Sequence, residues 1–117
     1  MKTEHVENFT SLYANSAIFE PTAWDLRIVF GQVEPNTEVV KQQVAITIPW
    51  AQAKLALYYL RAHVELMEEQ TGKIGIRRDI IPSELPPLTS EQGKDPVARR
   101  AHELVQRLRA EFIASLE

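Results

Sequence analysis

The chain contains no cysteine, which removes disulfides, thiol nucleophiles and cysteine-based zinc sites together. Glycine is also scarce, with four in 117 residues. No Gly-x-Ser-x-Gly elbow, Walker loop or dinucleotide fingerprint is formed. Positive charge is not in excess: 13 Lys+Arg against 16 Asp+Glu leave a formal net charge of −3, which argues against bulk electrostatic binding to nucleic acid or anionic membrane. The longest apolar run, Leu55 to Leu60, is far short of the roughly 20 residues that span a bilayer. The opening Met1-Lys2-Thr3-Glu4-His5-Val6-Glu7 has acid where a signal peptide has base and no apolar stretch behind it, so a cytoplasmic protein is expected. What is present is ordinary: 44% hydrophobic and 25% charged residues exclude a disordered or collagen-like chain and suit a single domain over residues 1–117 with its own core.

Three strand-like segments lead the chain after a flexible N-terminus over residues 1–10. Period-two alternation among β-branched and aromatic residues marks them. The first, Ser11 to Phe19, stops at Glu20-Pro21-Thr22, where proline fixes the backbone. The second runs from Trp24 to Gln32, with Trp24, Leu26, Ile28 and Phe30 on one side and Asp25, Arg27 and Gly31 on the other, Val29 breaking the pattern. Glu34-Pro35-Asn36-Thr37 turns the chain into Glu38 to Ile48, where Val40, Val44, Ile46 and Ile48 oppose Lys41, Gln43, Ala45 and Thr47. Residues 11–48 therefore predict an antiparallel meander. At Pro49 the period changes to 3.6, with proline expected in the first helical turn, and a helix over residues 49–72 ends at Gly72. Residues 73–95, with Pro82, Pro86 and Pro87 and irregularly spaced Ile80, Ile81, Leu85 and Leu88, read as an extended arm that packs by its isoleucines and leucines. Asp95-Pro96 is an N-cap followed by proline, and Val97, Ala101, Leu104, Leu108 and Phe112 give a second amphipathic helix over residues 96–117.

The first helix is the informative element. Trp50, Ala53, Leu57, Leu60, Val64 and Met67 form one apolar stripe, which is expected to lie on the sheet and to place Leu57 in the core. Leu55, Tyr59, Ala62 and Leu66 form a second, roughly 150° around the helix. A surface helix needs one apolar face, so this one is expected between two partners. The second is either the arm or C-terminal helix of the same chain, or another subunit.

Catalytic and metal patterns are absent or incomplete. His102-Glu103-Leu104-Val105-Gln106 opens like a zincin helix but carries Gln106 at the second ligand position, so no zinc site is expected. His5 and His63 have no metal-like spacing, and Asp25 with Arg27 reads as a solvated sheet face. Acid–base catalysis needs converging titratable groups, none is apparent, and neither an enzyme nor a cofactor is expected. Gly72-Lys73-Ile74-Gly75, with Arg77 and Arg78 nearby, matches the Gly-x-x-Gly loop that clamps a nucleic-acid backbone in KH domains. A helix C-cap followed by a turn accounts for it as well. A nucleic-acid-linked regulator stays as the alternative reading.

Leu12-Tyr13-Ala14-Asn15-Ser16, Trp24-Asp25-Leu26-Arg27-Ile28-Val29-Phe30-Gly31-Gln32, Ile46-Thr47-Ile48-Pro49-Trp50-Ala51-Gln52-Ala53-Lys54 and Glu68 to Ile74 resemble, in that order, the signatures of a small bacterial family of unknown function. The resemblance covers about residues 11 to 76 and implies no activity. The order of strands, Pro49-Trp50-Ala51, helix, Pro-rich arm and final helix is also similar to SecB-type export chaperones, which are oligomers that hold unfolded polypeptide in apolar grooves. This chain has three strand-like segments where those chaperones have four.

The expected fold is α+β: an antiparallel sheet of three or four strands, covered on one face by a long helix, then a Pro-rich arm and a C-terminal helix. The expected function is a non-enzymatic interaction module that self-associates as a dimer or tetramer, with polypeptide as a further partner. Leu55, Tyr59, Ala62, Leu66, Ile80, Ile81 and Leu85 form its working surface.

Overall fold

The computed structural model describes residues 1–117 and has the α+β architecture the sequence predicts. Strands β1 (Ser16–Pro21), β2 (Asp25–Val33) and β3 (Val40–Pro49) precede helix α1 (Trp50–Thr71), an arm with two short 3₁₀ turns at Arg78–Ile80 and Gln92–Lys94, and helix α2 (Pro96–Ser115). The chain divides into two compact units, Met1–Arg61 and Ala62–Glu117, with the boundary inside α1.

In the first unit the strands form one antiparallel sheet in the order β1-β2-β3. The first strand starts later than the alternation suggests and keeps Pro21, which pairs with Leu26. An edge strand tolerates proline because one side of its backbone needs no donor. The turn accordingly moves to Thr22, whose hydroxyl accepts from the Trp24 and Asp25 amides (3.1 and 3.0 Å) and donates to Asp25 Oδ1 (2.8 Å). Trp24 is thus outside β2 and 85% exposed. The second turn bends through left-handed Asn36 and Glu38 and closes with Glu34 N donating to Val39 O (2.9 Å).

The pairing puts Ala17, Phe19 and Pro21 beside Phe30, Ile28 and Leu26, which in turn lie beside Val44, Ile46 and Ile48. One sheet face is therefore apolar over these positions, and Gln32 and Lys41 end it beyond the bulge. Val40 does not join it: a bulge opposite Phe30 and Gly31 shifts the register, so that Val40 pairs with Val33 and moves to the other face, as a single-residue slip must make it do. Gly31 permits this bulge, because a Cβ there would lie 2.8 Å from Lys41 O and 2.9 Å from Val40 Cγ1. Val29, the residue that broke the alternation, is the one apolar side chain the fold buries, at 7% exposure.

β3 passes into α1 without a loop, Pro49 closing the strand instead of opening the helix. Trp50 ties the helix start to the first turn, its indole Nε1 donating to Thr22 O (3.0 Å). The helix ends as expected at Gly72, where φ is +92° and the amide donates to Glu68 O (2.8 Å), a left-handed cap that glycine adopts at little cost. Glu68 Oε2 then accepts from Ile74 N (2.9 Å).

In the second unit the arm is held to α2 through its carbonyls. Arg109 Nε donates to Pro82 O (2.8 Å), and His102 Nε2 lies 3.0 Å from Pro86 O. The arm is less irregular than its prolines suggest. Thr89 and Gln92 cap each other reciprocally, Thr89 N donating to Gln92 Oε1 (3.0 Å) and Gln92 N to Thr89 Oγ1 (3.1 Å), a capping box that starts a helical turn. Asp95 caps α2 as predicted, accepting from Val97 N (2.9 Å).

Two substitutions test this account by chemical denaturation at fixed protein concentration. Gly31→Ala forces a side chain into the β3 backbone and is expected to cost about 1–3 kcal/mol. Asp95→Ala removes a helix cap and is expected to cost about 1 kcal/mol. An unchanged midpoint for Gly31→Ala would show that the bulge accommodates a side chain.

Candidate interaction surface

The first stripe of α1 does not close onto the sheet. Phe19, Leu26, Ile28 and Ile48 from the sheet face Trp50, Ala53, Leu57 and Leu60 from the helix across an open groove of about 590 Å³. Leu57 and Leu60 are 67% and 65% exposed, so the expectation that Leu57 is a core residue and that α1 covers the sheet is corrected. The physical reason is the direct passage from β3 into the helix: with no loop to fold it back, α1 is anchored at Trp50 and leaves the apolar sheet face uncovered.

The second stripe is where its spacing places it. Leu55, Tyr59 and Leu66 are exposed and Ala62 is half-buried. Tyr58, which belongs to neither stripe, packs edge-on against Tyr59 with ring centroids 5.2 Å apart and extends the apolar surface. A second open groove, also about 590 Å³, runs along Ala51, Lys54, Leu55, Leu57, Tyr58 and Arg61. No residue of α1 is buried. A helix that is apolar on opposite sides is normally an interior element.

The arm residues form a separate group. Ile80 is exposed while Ile81 and Leu85 are half-buried. Leu85 lines a small groove of about 220 Å³ with Glu84, Gln106 and Arg109. The anchors Arg109 and His102 were not apparent from the sequence, where the final helix reads as a mixed charged face. No motif marks a guanidinium that binds carbonyls of a distant arm.

Asp25, Arg27 and Arg77 have local partners. Arg27 Nε pairs with Glu20 (2.8 Å), and Asp25 accepts from the Thr22 hydroxyl. Arg77 holds Asp79 with two hydrogen bonds (3.0 and 2.6 Å), which draws the Asp79 carboxyl below its usual range and raises the guanidinium. The Gly72 to Gly75 segment caps α1 and leads into an extended arm, where a KH loop would enter a second helix. No helix is long and apolar enough to cross a membrane.

The family model described as protein of unknown function (DUF3467) matches residues 2–76, more than half of the chain. The chain belongs to this family. The match takes in the whole sheet and all of α1, with both of its stripes and the open groove, and ends four residues into the arm. Ile80, Ile81 and Leu85 therefore lie outside the family region, whereas Leu55, Tyr59, Ala62 and Leu66 lie within it. Comparison with curated proteins and with solved structures gives no match.

Arg109→Ala tests the arm's attachment. Loss of the bond to Pro82 O is expected to lower the free energy of local opening by about 1 kcal/mol and so speed tryptic cleavage after Arg77 and Arg78 about fivefold. An unchanged cleavage rate would show that the arm is held by other contacts.

Proposed function

We propose that this member of the family is a homo-oligomeric interaction module whose exposed apolar surface is covered by further copies of itself. The observation that carries the reading is α1: none of its residues is buried, and Leu55, Leu57, Tyr59 and Leu60 are 52, 67, 57 and 65% exposed. Val29 is the chain's single buried apolar side chain, and contiguous apolar surface on this scale does not remain in water.

A net charge of −3 is too small to oppose such self-association.

A second reading, polypeptide holding, is favoured by the groove between the sheet and α1. Its lining is almost wholly apolar, with Lys54 the single charged member, and it is open along its length. An apolar segment of an unfolded chain suits it by chemistry, in line with the element order shared with SecB-type chaperones. Trp50 lines this groove and Trp24, the second of two tryptophans, does not, so a Trp24→Phe variant reports on it alone. A blue shift in its emission on adding a reduced, carboxymethylated polypeptide supports holding, and no shift removes it.

Light scattering coupled to gel filtration over a concentration series decides the main reading. A mass of two or four chains is expected, with a melting temperature that rises with protein concentration. Leu66→Glu is expected to reduce the mass, because a carboxylate buried in an apolar contact costs several kcal/mol. A wild-type mass of one chain at all concentrations would overturn the proposal.

A further inference from the structure

The second stripe of α1 is symmetric about its own midpoint. Leu55, Tyr59, Ala62 and Leu66 are spaced 4, 3 and 4 residues apart, so the pattern has the same spacing in either direction. The ends are both leucine, and the inner pair is one large residue and one small. We infer that α1 packs antiparallel against α1 of a second copy across this stripe, about a two-fold axis between Leu60 and Arg61. The inference rests on the self-association proposed above and names the surface and orientation used.

Antiparallel pairing sets Leu55 of one copy opposite Leu66 of the other, and Tyr59 opposite Ala62. Large against small fills the contact evenly, as interdigitated cores require. Parallel pairing would stack Tyr59 on Tyr59 and Ala62 on Ala62, holding the helices apart at one level and leaving a gap at the next. An isologous two-fold contact needs a surface complementary to itself, and this stripe has that property in the antiparallel sense only.

Charge points the same way. Lys54 lies in the first half of α1, and Glu68 and Glu69 lie near its end. Antiparallel packing brings Lys54 of each copy within about one turn of Glu69 of the other, on the same flank of the contact. On the opposite flank Gln52 meets Gln70, two amides able to bond each other. The helix dipoles are also opposed in this arrangement and aligned in the parallel one.

The absence of cysteine makes engineered cross-links a clean test. At a close helix separation of about 8 Å, the two Ala62 Cα atoms flanking the axis lie about 5 to 6 Å apart, within disulfide range. The two Leu55 positions lie about 16 Å apart along the helices, out of range. Ala62→Cys is therefore expected to form a covalent dimer under mild oxidation at least about tenfold faster than Leu55→Cys or Leu66→Cys alone. A mixture of the last two variants is expected to give a cross-linked pair containing one of each. Self-linking of Leu55→Cys, the parallel result, would overturn the inference. So would an Ala62→Cys protein that is oligomeric by mass under reducing conditions and does not cross-link, which leaves self-association standing. A monomeric wild type would remove both.

Discussion

A helix with apolar side chains on opposite sides must be covered on both, and this requirement dominates the molecule. In α1 the two stripes are separated by narrow polar flanks containing Lys54 and Glu68 on one side and Gln52 and His63 on the other. Neither stripe is buried within the chain. The sheet has the matching deficit, a face of apolar residues from three strands that nothing in the first unit closes over. Burial of such surface is the main favourable term in folding, and the self-association proposed above would supply it.

Local hydrogen bonding explains why the elements nevertheless form. Thr22 organises the first turn with its hydroxyl and its amide, which donates to Asp25 O, and its carbonyl accepts from the Trp50 indole. One residue thus sets both the pairing of β1 with β2 and the point from which α1 departs. At the other end of the helix Gly72 and Glu68 close the backbone. In the second unit, Thr89 with Gln92, Asp95, and the Arg109 contact with Pro82 perform the same task. These bonds are mostly exposed and each contributes about 1 kcal/mol. They direct the chain without supplying an interior.

Because the helix and the sheet are continuous through Pro49, the surface they share is shaped by backbone geometry more than by side-chain contact. The groove between them and the second stripe beyond them belong to the region common to the family. The arm beyond residue 76 and α2 lie outside it. Strand, turn and helix start form a single hydrogen-bonded element, joined through Thr22 and Trp50.

The element order, the caps at Gly72 and Asp95, and the two faces of α1 were legible from the sequence, because each depends on residues within a turn or two of one another. Periodicity and capping are local physics. The sequence by itself also determined that no cysteine chemistry and no helical membrane span could be present. What only the tertiary structure decided was long-range. The bulge at Gly31 moved Val40 to the opposite sheet face, Pro21 stayed in an edge strand, and Arg109 reached carbonyls of the arm. Above all, the first stripe of α1 stands open where hydrophobic periodicity led one to expect a closed core. A periodic pattern states that a face must be buried, and whether its own chain provides the cover depends on the path of the backbone, here a strand that continues into a helix with no loop to turn it back.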